Sequence, residues 1–342
     1  MIIKGLMAQA MARRLFTSVA CLCSIAGVAQ AQEARPSEGF SGFVSALVGV
    51  AEVESQFQTD DDNRVTTSLF SSGDSATVPA FAVPFELAYM VTDWNTQFFV
   101  GIPGENLREG SFFQWEIGAR YWLQDNTRLA LSFLPPSLAS AETWSDPFLV
   151  NSPRQKTDID SLGFKLRADN IAGSRFGLRY EYLNREIDNE QSGQSLMLTP
   201  AQLQLLDRDT TFHRFTVTYA HPLGDGWWLR PALRYVFADA EGDSNSFNAI
   251  RPEIGVFYGA ETFDFSANFV YEAQWFDEDN PIFSKARDDS LYRATVAYGY
   301  KEPFGWENFR FEVIGSAALS DSDISFYDTK AFLLLSGLTN SF

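Results

Sequence analysis

The sequence has little cysteine, a shortage of basic residues and few long uncharged runs, and each shortage excludes a class of protein. Its two cysteines, Cys21 and Cys23, lie close to the N-terminus, so the rest of the sequence offers no disulfide and no thiolate metal site. Asp and Glu number 44 against 26 Lys and Arg, and the net charge of −18 argues against nucleic-acid binding. Beyond residue 31, the longest uncharged run covers 191–206 and is rich in Gln and Ser, so no transmembrane helix is expected.

The N-terminal segment has the order of regions that is typical of a secretory signal peptide. Three basic residues precede an uncharged stretch at 15–28, and the small-residue cleavage site Ala-Gln-Ala follows at 29–31. We therefore expect a signal peptide at 1–31 and a single exported domain at 32–342.

Aromatic residues are abundant, with 31 Phe, 12 Tyr and 8 Trp, and they occur in segments of alternating polarity. In the segment 263–273, every second side chain is apolar, and the side chains between them are mostly polar. Successive side chains of a strand point to opposite faces, so such segments predict strands with one apolar and one polar face. The pattern occurs fourteen times, at roughly 39–50, 78–90, 96–103, 111–123, 128–135, 158–169, 174–186, 211–221, 227–238, 249–259, 263–275, 290–301, 308–319 and 326–342.

The connections between these segments alternate in length, and aromatic residues gather at both ends of the strands. This layout predicts an all-β fold, a single transmembrane up-and-down antiparallel β-barrel of about 14 strands, with 12 as the alternative count. Short turns would face the periplasm and long loops the outside, in the outer membrane of a gram-negative bacterium. A soluble β-sandwich would also have strands of alternating polarity, but it gives no reason for short and long connections to alternate along the sequence. The predicted long loops lie around 58–77, 104–110, 136–157, 187–210, 239–248, 276–289 and 320–325.

Three local features refine this prediction. Pro231 and Pro252 fall inside predicted strands, where each removes a ladder hydrogen bond, so we expect bulges there. Thr199 followed by Pro200 predicts the start of a short helix that folds back into the mouth of the barrel or lies across the loop surface. The terminal Phe342 follows alternate apolar residues and is expected to be the signal that the outer-membrane assembly machinery reads.

Charged residues occupy the polar face of many predicted strands, and their distribution suggests two walls. A charge facing lipid at the bilayer midplane costs about 2–4 kcal/mol, so these side chains are expected to face the lumen and to line a pore. We predict that the walls either create a transverse field that filters solutes or pair with each other and brace the interior. The basic wall comprises Lys165, Arg167, Arg175, Arg179, Arg214, Arg230, Arg234 and Arg251, and the acidic side comprises Glu86, Glu116, Asp264, Glu272 and Glu312.

The function that the sequence favours is a porin-like channel for passive diffusion of small hydrophilic solutes. One alternative is a closed structural or surface-binding barrel that acts through its acidic extracellular loops. Another is a hydrophobic-solute transporter with an apolar pocket lined by Leu203, Leu205 and Leu206. Catalysis is not expected, because His213 and His221 lack a serine at the spacing that barrel acyl hydrolases use. No catalytic residue, metal site or cofactor is predicted.

The predicted extracellular loops are rich in carboxylates, as in the run Asp-Asp-Asp-Asn at 60–63. Such loops form either a solvated, repulsive surface or sites for divalent cations shared with lipopolysaccharide. The expected partners are outer-membrane lipid, lipopolysaccharide and the barrel assembly machinery, with no nucleic acid.

Four short segments resemble those of one gram-negative family of exported proteins, which is known only as a domain of unknown function. The resemblance covers 39–342. It implies an outer-membrane barrel but no activity and no site residues. The segments are Ala-Glu-Thr-Trp-Ser-Asp-Pro-Phe at 141–148, Asn-Ile-Ala-Gly-Ser-Arg-Phe at 170–176, Ile-Asp-Asn-Glu-Gln-Ser-Gly at 187–193 and Leu-Leu-Asp-Arg-Asp at 205–209.

Overall fold

The alternating segments form antiparallel strands, and each strand pairs with its neighbours in the sequence. The structure is a computed structural model that describes residues 35–103, 114–136 and 141–342. The last strand pairs with the first, so the sheet closes into the predicted barrel of 14 strands. The strands are β1 (Gly39–Glu54), β2 (Ser75–Ala82 and Phe85–Val91), β3 (Thr96–Gly101), β4 (Glu116–Trp122), β5 (Arg128–Leu134 and Ala141–Trp144), β6 (Lys156–Asp169), β7 (Phe176–Ile187), β8 (Thr210–Tyr219 and His221–Gly224), β9 (Trp227–Ala240), β10 (Phe247–Gly259), β11 (Phe263–Phe276), β12 (Asp288–Lys301), β13 (Phe309–Ser322) and β14 (Thr329–Ser341).

The strands β2, β5 and β8 are each written as two pieces because the ladder is interrupted within them. The two pieces pair one after the other with the same neighbouring strand, so together they form one strand of the barrel. The predicted bulges at Pro231 and Pro252 are wrong, since the pairing register continues unchanged past both prolines. Pro231 lies beside the interruption of β8, and Pro252 lies at a gap in the β10–β11 ladder, where a missing N–H costs least.

The outer surface of the barrel is apolar along the middle of the strands. On β6, for example, Leu162, Phe164 and Leu166 are exposed while the residues between them face inward. Trp227, Tyr298 and Trp306 lie near the short turns on this surface, and other aromatics lie near the long loops, which form the two belts of a membrane barrel. Trp122 also lies at the end of a strand beside a short turn, but its side chain is buried inside the barrel and is not part of a belt.

Long loops lie at one end of the barrel and short turns at the other. Within the described ranges, no helix is long and apolar enough to cross a membrane. The helix α1 (Pro200–Gln204) confirms the predicted start, because Thr199 and Gln202 form a reciprocal capping box. The predicted signal peptide and the predicted loop at 104–110 lie outside the described residues. Short 3-10 helices occupy Asp61–Asn63, Thr92–Trp94, Ile171–Gly173, Asp243–Asn245, Pro303–Gly305 and Ser325–Tyr327.

The seam between β1 and β14 is a tight contact between two backbones. A Cβ atom added at Gly49 would lie 1.7 Å from the carbonyl oxygen of Leu334, and one added at Gly337 would lie 1.9 Å from that of Ala46. Glycine at these two positions therefore allows the strands to approach and the barrel to close. Phe342 extends the seam, since its backbone N–H and C=O both bond to Gly42.

Candidate functional site

The thirteen predicted pore-lining residues all occupy the alternate positions that face the lumen in their segments. Twelve of them lie within strands, where they are buried or half-buried. Arg175 precedes β7 in a short turn and is exposed, so it lies at the periplasmic rim. The structure therefore places twelve of the thirteen predicted side chains in the lumen, and their contribution to a pore stays a prediction.

Four lumen-facing arginines lie along one line of cross-strand positions that runs from β6 to β10. Arg167 is directly opposite Arg179 on the next strand, and Arg179 is in turn opposite Thr216. Thr216 is opposite Arg234, which is directly opposite Arg251. We call these four arginines the arginine row. Like charges in directly opposite positions destabilise a sheet, so the row requires compensation from other groups.

Carboxylates on the neighbouring strands compensate one member of the row, Arg251, and also the nearby Lys165. Lys165 is ion-paired with Glu116, and its Nζ lies 3.9 Å from Glu181. Arg251 lies 3.9 Å from Glu272. Members of the predicted basic and acidic sets are thus in direct contact at two places, rather than facing each other across the lumen, because the closed sheet makes their strands near neighbours.

Towards the periplasmic end, further ion pairs brace the lumen, and several of their members escaped the sequence analysis. Arg120 forms a bidentate pair with Glu86 at 2.7 and 2.9 Å. Arg310 pairs with Asp264 and lies 3.3 Å from Glu312. In the alternating pattern of their strands, Arg120 and Arg310 occupy lumen-facing positions, as their predicted partners do. This position in the alternation was the signal that could have identified them.

The opposite side of the lumen is apolar, which the sequence analysis also missed. Inward side chains of β1, β2, β12, β13 and β14 pack together there, and the nearly uninterrupted apolar character of 39–50 was its signal. The cluster consists of Leu47, Ala51, Val53, Ala80, Ala82, Ile102, Ala297, Ile314, Ala331, Leu333 and Leu335.

Apolar side chains of five extracellular loops pack together over the mouth of the barrel. Leu206, which follows α1, is buried among them, whereas the residues of α1 itself are exposed or half-buried, so the fold-back of the predicted helix into the mouth stays a prediction. We call this cluster the loop roof. Its buried members are Phe148, Leu206, Ile324 and Phe326, and Phe57, Leu69, Leu196, Leu198, Ile282, Phe283 and Tyr327 pack against them.

A buried arginine holds two of the roof loops together. The guanidinium of Arg154 donates to the backbone carbonyls of Gln56 at 2.8 Å, of Pro147 at 3.2 Å and of Asn63. It also stacks on the Trp144 ring, with 4.6 Å between Cζ and the ring centroid. Burial lowers the pKa of Arg154 to about 10, so it remains a cation at neutral pH.

Arg208 makes a second connection between roof loops. Its Nε donates to Glu190 at 2.7 Å, and its Nη2 donates to the backbone carbonyls of Trp144 at 2.8 Å and Ser145 at 3.1 Å. Because the two arginines use several donors each on carbonyls of distant segments, the roof has a defined conformation.

Beneath the loop roof, the barrel encloses a chamber of about 550 Å³. Its upper boundary is aromatic and aliphatic, and its wall is rich in charge. Among the predicted residues, Lys165, Arg214, Arg234, Arg251 and Glu272 line it. The upper boundary comprises Phe57, Phe148, Leu206, Phe212, Phe247, Phe276 and Tyr327, and the other charged residues are Glu142, Glu181, Arg185, Arg208, Arg287, Asp289 and Arg293.

The two histidines lie away from the chamber. His213 faces outward, where its Nδ1 lies 2.8 Å from the hydroxyl of Tyr180. His221 is exposed at the start of the second piece of β8. In the part of the chain that the structure describes, no three His, Cys, Asp or Glu side chains are grouped to hold a metal ion. The prediction of divalent cations shared with lipopolysaccharide stays a prediction.

Comparison with solved structures identifies barrels of the same type. A mutant of the TodX monoaromatic hydrocarbon channel is 12% identical, with 97% of this chain and 98% of that chain covered and a TM-score of 0.50. The COG4313 outer membrane channel from Pseudomonas putida F1 is 10% identical, with 93% and 100% covered and a TM-score of 0.49. The CymD monoaromatic hydrocarbon channel is 10% identical, with 96% and 98% covered and a TM-score of 0.47. The first likeness shows a shared fold.

The closed barrel, its apolar outer surface and its aromatic belts place the protein in the outer membrane of a gram-negative bacterium. No curated protein matches the sequence. A family model described as "Protein of unknown function (DUF2860)" matches residues 39–341. The chain therefore belongs to the DUF2860 family, as the resemblance of its short motifs implied.

Proposed function

We propose that this protein is an outer-membrane channel for passive diffusion of small hydrophilic solutes and that it prefers anions. The observation that carries the proposal is the arginine row, which places four cationic side chains along one line of cross-strand positions on the lumen-facing side of the wall. A row of like charges in a narrow space with low-dielectric walls attracts counter-ions and raises their local concentration. Rings of charged side chains select solutes by charge in other pores.

In this proposal, the parts of the lumen have separate roles. The loop roof is the barrier that a solute crosses first, and the chamber beneath it receives the solute. The arginine row sets the charge preference, and the ion pairs near Arg120 and Arg310 maintain the barrel wall below it.

The test is the conductance of the refolded chain in a planar bilayer, with reversal potentials measured in a salt gradient. The wild type should show stable conductance steps and a reversal potential whose sign indicates selectivity for anions. Arg234→Glu should move the reversal potential towards cations, because it replaces one positive charge of the row with a negative one and lowers the net charge by two units. Arg175→Glu is the matched control, since it makes the same charge change at the exposed rim.

Folding of each variant is checked by its heat-dependent mobility on electrophoresis before conductance is measured. A folded wild type without conductance would reject the channel and favour a closed barrel that acts through its acidic loops. Equal reversal potentials for the wild type and a folded Arg234→Glu, or for the milder Arg234→Gln, would reject the arginine row as the selective element.

A second candidate function is transport of hydrophobic solutes, and the upper boundary of the chamber favours it. Of the three leucines predicted to form an apolar pocket, Leu206 lines the chamber, whereas Leu203 and Leu205 are half-buried and do not line it. Uptake of an uncharged aromatic hydrocarbon into vesicles, unaffected by Arg234→Glu, would support this candidate over an anion channel.

A further inference from the structure

One arginine of the chamber lies between uncharged neighbours. Arg293 is on the inward face of β12, with 7% of its surface exposed, and it lines the chamber. Its cross-strand neighbours are Val270 on one side and Ala318 on the other. Neither neighbour offers a side-chain acceptor, so the guanidinium projects towards the chamber without support from the adjacent strands.

The other cations of the chamber have protein partners. Arg251 lies 3.6 Å from Glu253, Arg214 pairs with Glu181, and Arg287 lies 3.2 Å from Asp289. Across the described ranges, Arg293 forms no hydrogen bond, ion pair or ring contact with another residue, and its Nε is buried without a partner. A buried guanidinium in this condition is unfavourable unless an anion accompanies it.

The chamber has a second, different surface above this arginine. Rings of the loop roof and the upper strands, such as Phe148, Phe212 and Phe276, bound it there. Its volume of about 550 Å³ is in the range of about 300–1,000 Å³ that small-molecule pockets occupy. The chamber thus joins one unaccompanied cation to an aromatic surface.

We propose that the chamber binds an organic monocarboxylate with an apolar, preferably aromatic, body. Its carboxylate accepts hydrogen bonds from the Arg293 guanidinium, which presents donors in a planar fork that matches a carboxylate. Its apolar body lies against the roof rings, which favour edge and offset contacts with another ring. Arg293 supplies one positive charge without a protein partner, which matches a ligand with a single carboxylate. The assignment rests on the proposed function, because the channel must bring the solute to the chamber.

The experiment is calorimetric titration of the refolded full chain with 4-phenylbutyrate. Two probes separate the contributions of its parts. The alcohol 4-phenylbutanol keeps the aromatic body and lacks the charge, and butyrate keeps the carboxylate and lacks the ring. We expect saturable one-to-one binding of 4-phenylbutyrate, with each of the other two probes binding at least roughly tenfold more weakly, since both contacts contribute.

Arg293→Gln should weaken binding of 4-phenylbutyrate by about ten- to a hundredfold and leave 4-phenylbutanol unchanged. Arg293→Lys keeps the charge but loses the fork and should give an intermediate affinity. Arg175→Gln, which removes an exposed arginine far from the chamber, should bind like the wild type. Heat-dependent electrophoretic mobility confirms that each variant is folded.

Equal binding of 4-phenylbutyrate by the wild type and a folded Arg293→Gln would overturn the assignment, and so would equal binding of the acid and the alcohol. Bilayer conductance of the same preparations separates the two proposals. A chain that conducts anions but does not bind 4-phenylbutyrate refutes the ligand assignment alone. A chain that binds 4-phenylbutyrate at Arg293 without conducting refutes the channel alone.

Discussion

Replacing Arg154 with methionine should open the loop roof while the barrel stays folded. Arg154 is 1% exposed, and its guanidinium donates to three backbone carbonyls, those of Gln56, Asn63 and Pro147. Methionine fills similar space but offers no donor, so all three carbonyls lose this partner. The barrel strands do not use these bonds, and the damage should stay within the loops.

The magnitude follows from the contacts. A hydrogen bond to a charged group contributes about 1.5–3 kcal/mol, and stacking on the Trp144 ring adds about 0.5–2 kcal/mol. Recovering the hydration of the buried cation offsets part of this sum. Removing one member of a buried charged arrangement commonly costs about 3–5 kcal/mol, and we expect that range here. Since about 1.4 kcal/mol is tenfold, the open roof should become roughly a thousandfold more populated.

The assay is limited chymotrypsin digestion of the folded protein in detergent, with cleavage followed at Phe57 and Phe148. Cleavage of a transiently open segment tracks the open population when closing is faster than cleavage. Arg154→Met should therefore be cut far faster than the wild type. The control is Arg64→Met, which removes an exposed arginine of the same loops and should be cut at the wild-type rate. Equal cleavage rates for Arg154→Met and the control would refute the reasoning.

Two further predictions concern the barrel wall and its assembly. Leu131→Arg places a charge on the lipid-facing surface of β5 and should lower the unfolding free energy by about 2–4 kcal/mol, measured by urea titration in lipid vesicles. Leu223→Arg is the control, since Leu223 is about equally exposed but lies near the periplasmic end, and it should lower the unfolding free energy by only about 0–1 kcal/mol. Phe342→Ala should reduce the amount of folded barrel that accumulates in cells without changing refolding from urea in vitro. Phe342 joins the seam through its backbone N–H and C=O, which alanine also has. An equal loss in cells and in vitro would contradict a role as an assembly signal.

Period-two alternation was sufficient to predict the strands, because it is a local property of the chain. Segments such as 263–275 and 290–301 coincide with β11 and β12 to within two residues at each end. The same alternation assigned the lumen-facing side chains, including Lys165 and Glu272, since each inward position is set by the strand's own phase.

Local reasoning failed where the answer depended on neighbouring strands. Pro231 and Pro252 were expected to cause bulges, but gaps in the adjacent ladders accommodate them. Lys165 and Glu116 were assigned to separate walls, yet they form an ion pair because β4 and β6 approach within the closed barrel. Such outcomes depend on register and curvature, which no single segment encodes.

By itself, the sequence indicated a closed membrane barrel of about 14 strands, with 12 as the alternative count, and showed which faces of the strands are apolar. The physical reason is that lipid and lumen impose opposite polarities on successive residues. Only the tertiary structure decided how the charges are distributed among partners. Loops that are distant in sequence meet through Phe148 and Phe326 to form the roof. Contacts within the strands and loops give every chamber cation in the described residues a partner except Arg293. Packing of distant segments creates these features, so the chamber and its unaccompanied arginine emerge only when the barrel closes.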